Sequence, residues 1–496
     1  MRTFQRVGAC IVFAVANVAA VLPANSFAQT ASQSTASAVK GIEGIWLGKL
    51  EIPTGSLRIV INVSKRPDGA FLSTLDSPDQ GAKGIPVAKT TYADGLFKMD
   101  ASVLHASFEG KLSTDGQKIV GTFKQGGELP LTLVRVTKAP DPVVRKRPQT
   151  PQRPYPYLER EVVYENKSAG IKLAGTLTLP KTGGPFPAVL LITGSGAQDR
   201  DEALLGHRPF LILSDYLTRR GIAVLRVDDR SVGGSGGNIA TSTTNDFVGD
   251  VLAGVAFLKE QKEIDPKRIG LCGHSEGGVI APMAASRSKD VAFIVMMAGT
   301  GVPGDEIIYK QSYLIAKAAG APESALKQNE EAQHQAFAIL EQEKDPAVIE
   351  KRLKALRDEA IAKLPEDQKK AAESQEAAFK AQMSSYQSPW FRYFLSLDPR
   401  VALRQVHCPT LVLNGEKDMQ VDPTQNVPEV EKALKEAGNK DVLVRILPGL
   451  NHLFQNCTTG SPNEYESIEE TMSPAALKVI GDWIEQHTKS ATNSTR

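Results

Sequence analysis

The sequence predicts a mostly parallel α/β sheet with helices on both faces, a helical insertion, and a small all-β domain in front. Three observations predict it. From about residue 158, short apolar runs alternate with helix-length segments, the order that builds a parallel sheet. Between 41 and 137 the runs are shorter, alternate apolar with polar, and are divided by turn signals, an all-β texture. Just over 110 residues separate two late apolar runs, too many for a structureless loop.

The elements follow in chain order. Arg2 and Arg6 precede an apolar run, Val7 to Leu22, that ends near Ser26-Phe27-Ala28. That pattern reads as a signal peptide over 1–28, with a secreted or periplasmic product. Residues 29–40 read as a flexible leader. In 41–137 the strand candidates are Ser56–Val63, Phe71–Leu75, Val87–Tyr92, His105–Leu112, Lys118–Phe123 and Leu129–Val136. They predict a barrel or sandwich, and its lone His105 carries no catalytic signal. Residues 138–157 hold six prolines beside Arg145, Lys146 and Arg147, which reads as a solvated, semi-extended linker. From 158 to 490 the strand candidates are Val162–Glu165, Leu173–Leu179, Ala188–Thr193, Ala223–Val227, Ile269–Cys272, Ala292–Met296, Thr410–Leu413 and Val442–Leu447. The first two read as an antiparallel pair opening the sheet. The insertion, about 302–400, is rich in Ala, Glu, Lys, Gln and Leu and reads as a helical cap. Tyr386, Trp390, Phe391, Tyr393 and Phe394 either line a pocket there or form cap core. Residues 491–496 are a tail.

Composition excludes some classes. The 496 residues carry 58 Lys and Arg against 56 Asp and Glu, which gives no electrostatic case for nucleic acid. No segment after the leader has an uninterrupted apolar span of membrane length, so no stable membrane insertion is expected once the signal is cleaved. Cys408 and Cys457 are the one pair an oxidising compartment could join; Cys272 sits in an apolar strand pattern.

Gly273-His274-Ser275-Glu276-Gly277 fits G-x-S-x-G between an apolar strand and a helix-like run. A sharp strand-to-helix turn there exposes a serine hydroxyl, which makes Ser275 the candidate nucleophile. A serine needs a base. His452 follows the last strand candidate, so it is the first choice, with His207 as a weak alternative. His407 precedes a strand and His487 lies in a terminal helix. Asp418, after Thr410–Leu413, is the candidate acid that orients the imidazole, with Glu416 and Asp422 as rivals. The oxyanion donors should be the backbone amides of Glu276 and of Ser195, with Gly196 next, in the glycine loop after Thr193. The charges of Asp199-Arg200-Asp201 and Asp228-Asp229-Arg230 are expected to pair and hold that loop. No cofactor and no metal site are implied.

These motifs resemble the α/β-hydrolases, close to bacterial carboxylesterases with a cap between the sixth and seventh strands. Gly194-Ser195-Gly196 with Asp199-Arg200-Asp201 resembles their oxyanion loop, and Asp228 to Gly233 resembles the loop after their fourth strand. Gly273–Gly277 matches the elbow, and Ser388-Pro389-Trp390-Phe391 resembles a segment near the cap's end. Asp418 and His452 fall where that family places its acid and base. Thr193 departs from the histidine often found before the oxyanion glycine, and Ser231 from a usual glycine. The resemblance implies a serine hydrolase acting on a small-molecule carboxylic ester. The alternatives are an aminopeptidase with the same triad, with cap acids such as Glu306 to hold an amino group, or a non-catalytic envelope-binding protein. Oligomeric state is not indicated.

Overall fold

The computed structural model describes residues 41–489, apart from 53–54, 81, 102–105, 126–127, 142–145, 365, 367–368 and 370–375. The signal peptide, leader and tail, together with His105, Arg145 and the Gly126-Gly127 turn, lie outside the described residues. The chain forms two compact units.

One unit, which also takes in Arg357–Ser384, carries an antiparallel sheet of nine strands: β1 (Gly44–Ile52), β2 (Gly55–Lys65), β3 (Phe71–Ser77), β4 (Ala82–Pro86), β5 (Lys89–Ala93), β6 (Leu96–Ala101), β7 (Ala106–Leu112), β8 (Lys118–Lys124) and β9 (Glu128–Val136). Their spatial order is β4-β3-β2-β1-β9-β8-β7-β6-β5. Trp46, Ile61, Leu75, Phe97, Phe108, Ile119 and Leu133 share one apolar core. Strands far apart in that order meet in this core, so the sheet curls around it. β1, β4 and β6 were not among the sequence candidates. β1 reads GIWLGKLEI, and its two glycines break the apolar count. Gly48 is required there, because a Cβ would stand 2.6 Å from Leu131. Trp46 is fully buried and its Nε1–H donates to Ile42 O at 2.8 Å.

The second unit carries an eight-stranded sheet in the order β10-β11-β13-β12-β14-β15-β16-β17. Its strands are β10 (Leu158–Asn166), β11 (Ile171–Leu179), β12 (Phe186–Ile192), β13 (Ala223–Val227), β14 (Ile264–His274), β15 (Phe293–Met297), β16 (Thr410–Gly415) and β17 (Val442–Leu447). β10–β11 and β11–β13 are antiparallel, and every later pairing is parallel. Six of the eight sequence candidates lie within these strands; Ala188–Thr193 runs one residue past β12, and Ala292–Met296 starts one residue before β15. β12 and β15 bury both faces, as continuous apolar runs should.

Five helices cover the two faces. α1 (Pro209–Arg219) and α11 (Pro474–Thr488) pack Phe210, Leu213 and Trp483 on Val189, Leu191 and Val224. α2 (Thr244–Lys259), α3 (Gly277–Arg287) and α10 (Pro423–Glu436) pack on Leu190, Leu225 and Ile294. Odd and even residues of β12 therefore serve opposite cores. α2 starts sharply because Asp246 Oδ2 accepts the Thr243 N–H at 2.8 Å.

Between β15 and β16 stand α4 (Gly304–Ala318), α5 (Glu323–Gln342), α6 (Pro346–Ala362), α7 (Glu376–Tyr386), α8 (Pro389–Ser396) and the single turn α9 (Arg400–Leu403). Phe337 meets Tyr386 and Phe391 edge-on at 5.9 Å. Tyr386 and Phe391 are thus core of the helical insertion, while Trp390 turns elsewhere. Among the described residues, no helix is long and apolar enough to cross a membrane.

One expectation is corrected, and one open pairing is decided. Arg147 is no solvated linker charge: it donates to the backbone carbonyls of Leu205, Glu466 and Ile468 at 2.8–2.9 Å. Gln149 Oε1 also accepts the Thr471 N–H at 2.6 Å. Arg147 and Gln149 thus tie this stretch to the segment between Tyr465 and Met472. Cys408 and Cys457 are both free thiols. Cys408 precedes β16 and Cys457 follows β17, which is parallel to it. A strand length of roughly 20 Å lies between those sheet edges, far beyond disulfide reach.

Candidate active site

The loops after β12, β14, β16 and β17 leave the sheet at the same edge, because those strands are parallel. Ser275 stands between β14 and α3 with φ 55°, a left-handed conformation that costs a non-glycine residue about 1–2 kcal/mol. Two close approaches hold it there. A Cβ on Gly273 would stand 1.9 Å from Gly277 O, and one on Gly277 2.2 Å from Ile192 O. The Ser275 N–H donates to Met297 O at 2.8 Å, tying the turn to β15. Ser275 alone stays partly accessible between buried His274 and Glu276.

Asp418 and His452 meet beyond β16 and β17. His452 Nδ1 lies 2.8 Å from Asp418 Oδ2, and both residues are buried. Asp418 Oδ1 accepts the N–H groups of Gln420 and Val421, each at 2.8 Å. Its rivals have other work. Glu416 Oε2 accepts the Gly449 N–H at 2.8 Å. Asp422 caps α10 through the Thr424 N–H at 3.0 Å and pairs with Lys310 at 3.2 Å. His207 is buried on Thr471 and Tyr465, and His487 packs on Trp483 at the α11 end. Glu306 is exposed on α4.

The glycine loop after β12 is held by acids. Glu202 Oε1 accepts the Gly194 N–H at 2.7 Å, and a Cβ on Gly194 would sit 3.3 Å from Ser275 Cβ. Gly194 is thus spoken for, whereas the N–H groups of Ser195, Gly196 and Glu276 donate to no acceptor among the described residues. Thr193 Oγ1 donates to Asp229 Oδ1 at 2.8 Å, and the Gln198 N–H to Asp229 Oδ2 at 2.9 Å. At the Thr193 departure the hydroxyl is thus taken up by Asp229. Arg200 grips Asp228 through Nε and Nη2 at 3.0 and 2.7 Å. Asp201 pairs with Arg208 and Arg226, and Arg230 with Asp250. Ser231 takes φ 65° and recovers a bond, donating from Oγ to Gly237 O at 3.0 Å.

The electrostatics split the acids. Burial opposes the Asp228 charge, but Arg200 and backbone N–H groups hold its carboxyl below the usual range. Burial, with Glu276 and Glu202 nearby, pushes Asp229 well above it. Glu276 is also raised by burial, against the Thr244 hydroxyl and the Trp390 indole that bind its Oε1 at 2.7 and 2.8 Å. Through that bond a helix of the insertion, α8, reaches the residue after Ser275. The sequence reading missed the roles of Glu202 and His274. Only the chain's return past Gly194, with Glu202 at φ 52°, brings them together. Among the described residues no group of three or more His, Cys, Asp or Glu is arranged to hold a metal ion.

The family model described as X-Pro dipeptidyl-peptidase (S15 family) matches residues 169–448, more than half of the chain. The chain belongs to the S15 family. This S15 member is 34% identical over 155 residues to the esterase EstD of Thermotoga maritima, a stretch covering 31% of this chain and 37% of that protein. It is 32% identical over 127 residues to the thiohydrolase aneE of Aspergillus aculeatus, covering 25% and 37%. An esterase of Pyrococcus furiosus superposes on the S15 member with TM-score 0.41 and 17% identity, covering 70% of this chain and 99% of that one. The family match and the likeness to the esterase EstD make the chain an α/β-hydrolase related to an esterase.

Proposed function

We propose that the chain is a serine hydrolase that cleaves carboxylic esters through an acyl-enzyme. The observation that carries this reading is the 2.8 Å His452–Asp418 contact on the sheet edge where Ser275 occupies its strained turn. Ser275 Oγ attacks the ester carbonyl while His452 Nε2 takes its proton. Asp418, acceptor to Nδ1–H, keeps that tautomer and stabilises the imidazolium. The N–H groups of Glu276 and Ser195, with Gly196 beside them, are the donors for the oxyanion, each worth about 3 kcal/mol in such sites. His452 then protonates the leaving alkoxide, and a water activated by His452 releases the acid. In this reading α4, α5 and α8 form a cap, and Trp390 borders the substrate.

The test is a panel of aryl esters of increasing acyl length, set beside X-Pro and aminoacyl anilides, with wild type and Ser275→Ala. Ester turnover lost in the variant supports the proposal. The S15 match favours a second reading, a peptidase with the same three residues, and anilide turnover exceeding ester turnover would select it. A fluorophosphonate that fails to label folded wild type at Ser275 would remove both, leaving the envelope-binding reading. We also propose export through residues 1–28, which N-terminal sequencing of the mature protein checks.

A further inference from the structure

His274 and Glu202 are buried beside Ser275 and have no step in the ester mechanism. Their geometry favours one protonation state. His274 Nε2 lies 2.9 Å from the backbone carbonyl of His452. A carbonyl oxygen only accepts, so Nε2 carries a proton. His274 Nδ1 lies 3.0 Å from Glu202 Oε1, the oxygen that already accepts the Gly194 N–H at 2.7 Å. An ionised Glu202 only accepts, so opposite it Nδ1 carries a proton too. A ring protonated on both nitrogens is an imidazolium.

We propose that Glu202 holds His274 as an imidazolium through neutral pH, and that this ion pair is a positioning device registering the oxyanion loop, the serine turn and the His452 backbone. Its catalytic consequence rests on the hydrolase reading of Ser275 and His452; the protonation state does not. Three loops meet at this one ring. Glu202 and Gly194 face it from the loop after β12, Asp418 from the loop after β16, and the His452 ring, at 4.7 Å between centroids, from the loop after β17. Phe454 closes that side at 6.2 Å, and Cys272 lies on the same strand with its thiol kept neutral by burial. Burial works against the charge, but Glu202, the His452 carbonyl and Asp418 outweigh it and raise the imidazole above its ordinary value. A neutral ring would leave one buried acceptor unpaired. The His452 carbonyl or the loop at Gly194 would then drift from its place.

The first experiment is nitrogen NMR of the full chain labelled with ¹⁵N-histidine, with His274→Gln to identify the resonance. Both ring nitrogens of His274 should read as protonated through neutral pH and well above the ordinary histidine range. One unprotonated nitrogen at neutral pH overturns the proposal, whatever the enzyme's activity. The second is the kcat/KM profile of Glu202→Gln on an aryl ester. Its alkaline limb should move down by on the order of one pH unit, because the carboxylate that holds the proton is gone. kcat should fall by on the order of 100-fold with KM little changed, and the His452 ring resonances should shift. An unmoved alkaline limb with unmoved His452 resonances overturns the positioning role. A wild type that turns over no ester sinks the hydrolase reading, while the two sets of resonances still decide the inference.

Discussion

Ser275 is held in a left-handed conformation by glycines that admit no Cβ, and strain of this kind persists only where the surroundings over-determine it. Ser275→Ala keeps the turn and removes the nucleophile, so ester turnover should fall by on the order of 10⁴-fold or more, with no fluorophosphonate labelling. Asp418→Asn leaves a side chain of the same shape but presents an amide to His452 Nδ1. Turnover should drop by on the order of 10⁴-fold while Ser275 remains present, and a loss no greater than tenfold would refute Asp418 as the orienting acid. The placement of Ser275, Asp418 and His452 at one sheet edge was legible in the sequence because each follows a strand of a parallel sheet. Glu202 was not: an acid eight residues past a glycine has no signature, and its partner atoms come from other loops.

At the scale of elements, the turn at Ser275 depends on α3 packing against β12. Gly277→Ala would place a Cβ 2.2 Å from Ile192 O, a backbone atom with nowhere to go. We expect about 3 kcal/mol of destabilisation in denaturant unfolding, together with slower labelling of Ser275; wild-type stability would show that α3 is free to shift. The insertion meets this turn through the Trp390 indole and Glu276 Oε1 at 2.8 Å. Trp390→Phe keeps the stacking on Phe394, 5.3 Å between centroids, but leaves a buried acid with one donor fewer. Stability should fall by about 1–2 kcal/mol and KM should rise more than kcat falls. Equal KM and equal stability would detach the indole from both roles. The helices of the insertion were legible as composition, but the split of its aromatics was not. Sequence spacing does not say that Phe391 faces Phe337 while Trp390, one residue earlier, faces Glu276.

At the scale of the whole molecule, stability should depend on acidity through His207. Burial pushes this imidazole down to about 4, against the acceptor Tyr465 O. In the unfolded chain it takes a proton below its ordinary 6.5, so between 6.5 and about 4 the unfolded state binds more protons. Stability is therefore full above this window and is lost as pH falls through it, by up to about 3 kcal/mol. Thermal unfolding followed from neutral to acid should show this slope in wild type and a flatter one in His207→Asn; parallel curves would assign the slope to other groups.

The sequence by itself determined the α/β class, the all-β texture in front, the eight strands of the second unit and the residues at its loop edge. Periodicity and turn chemistry are local, and a strand buried on both faces is written in one continuous apolar run. Only the tertiary structure decided the strand order, the two free cysteines at opposite sheet edges, the docking of Arg147 and the His274–Glu202 pair. Those depend on which distant atoms come within hydrogen-bonding reach, and no local pattern along the chain encodes a distance between separate loops.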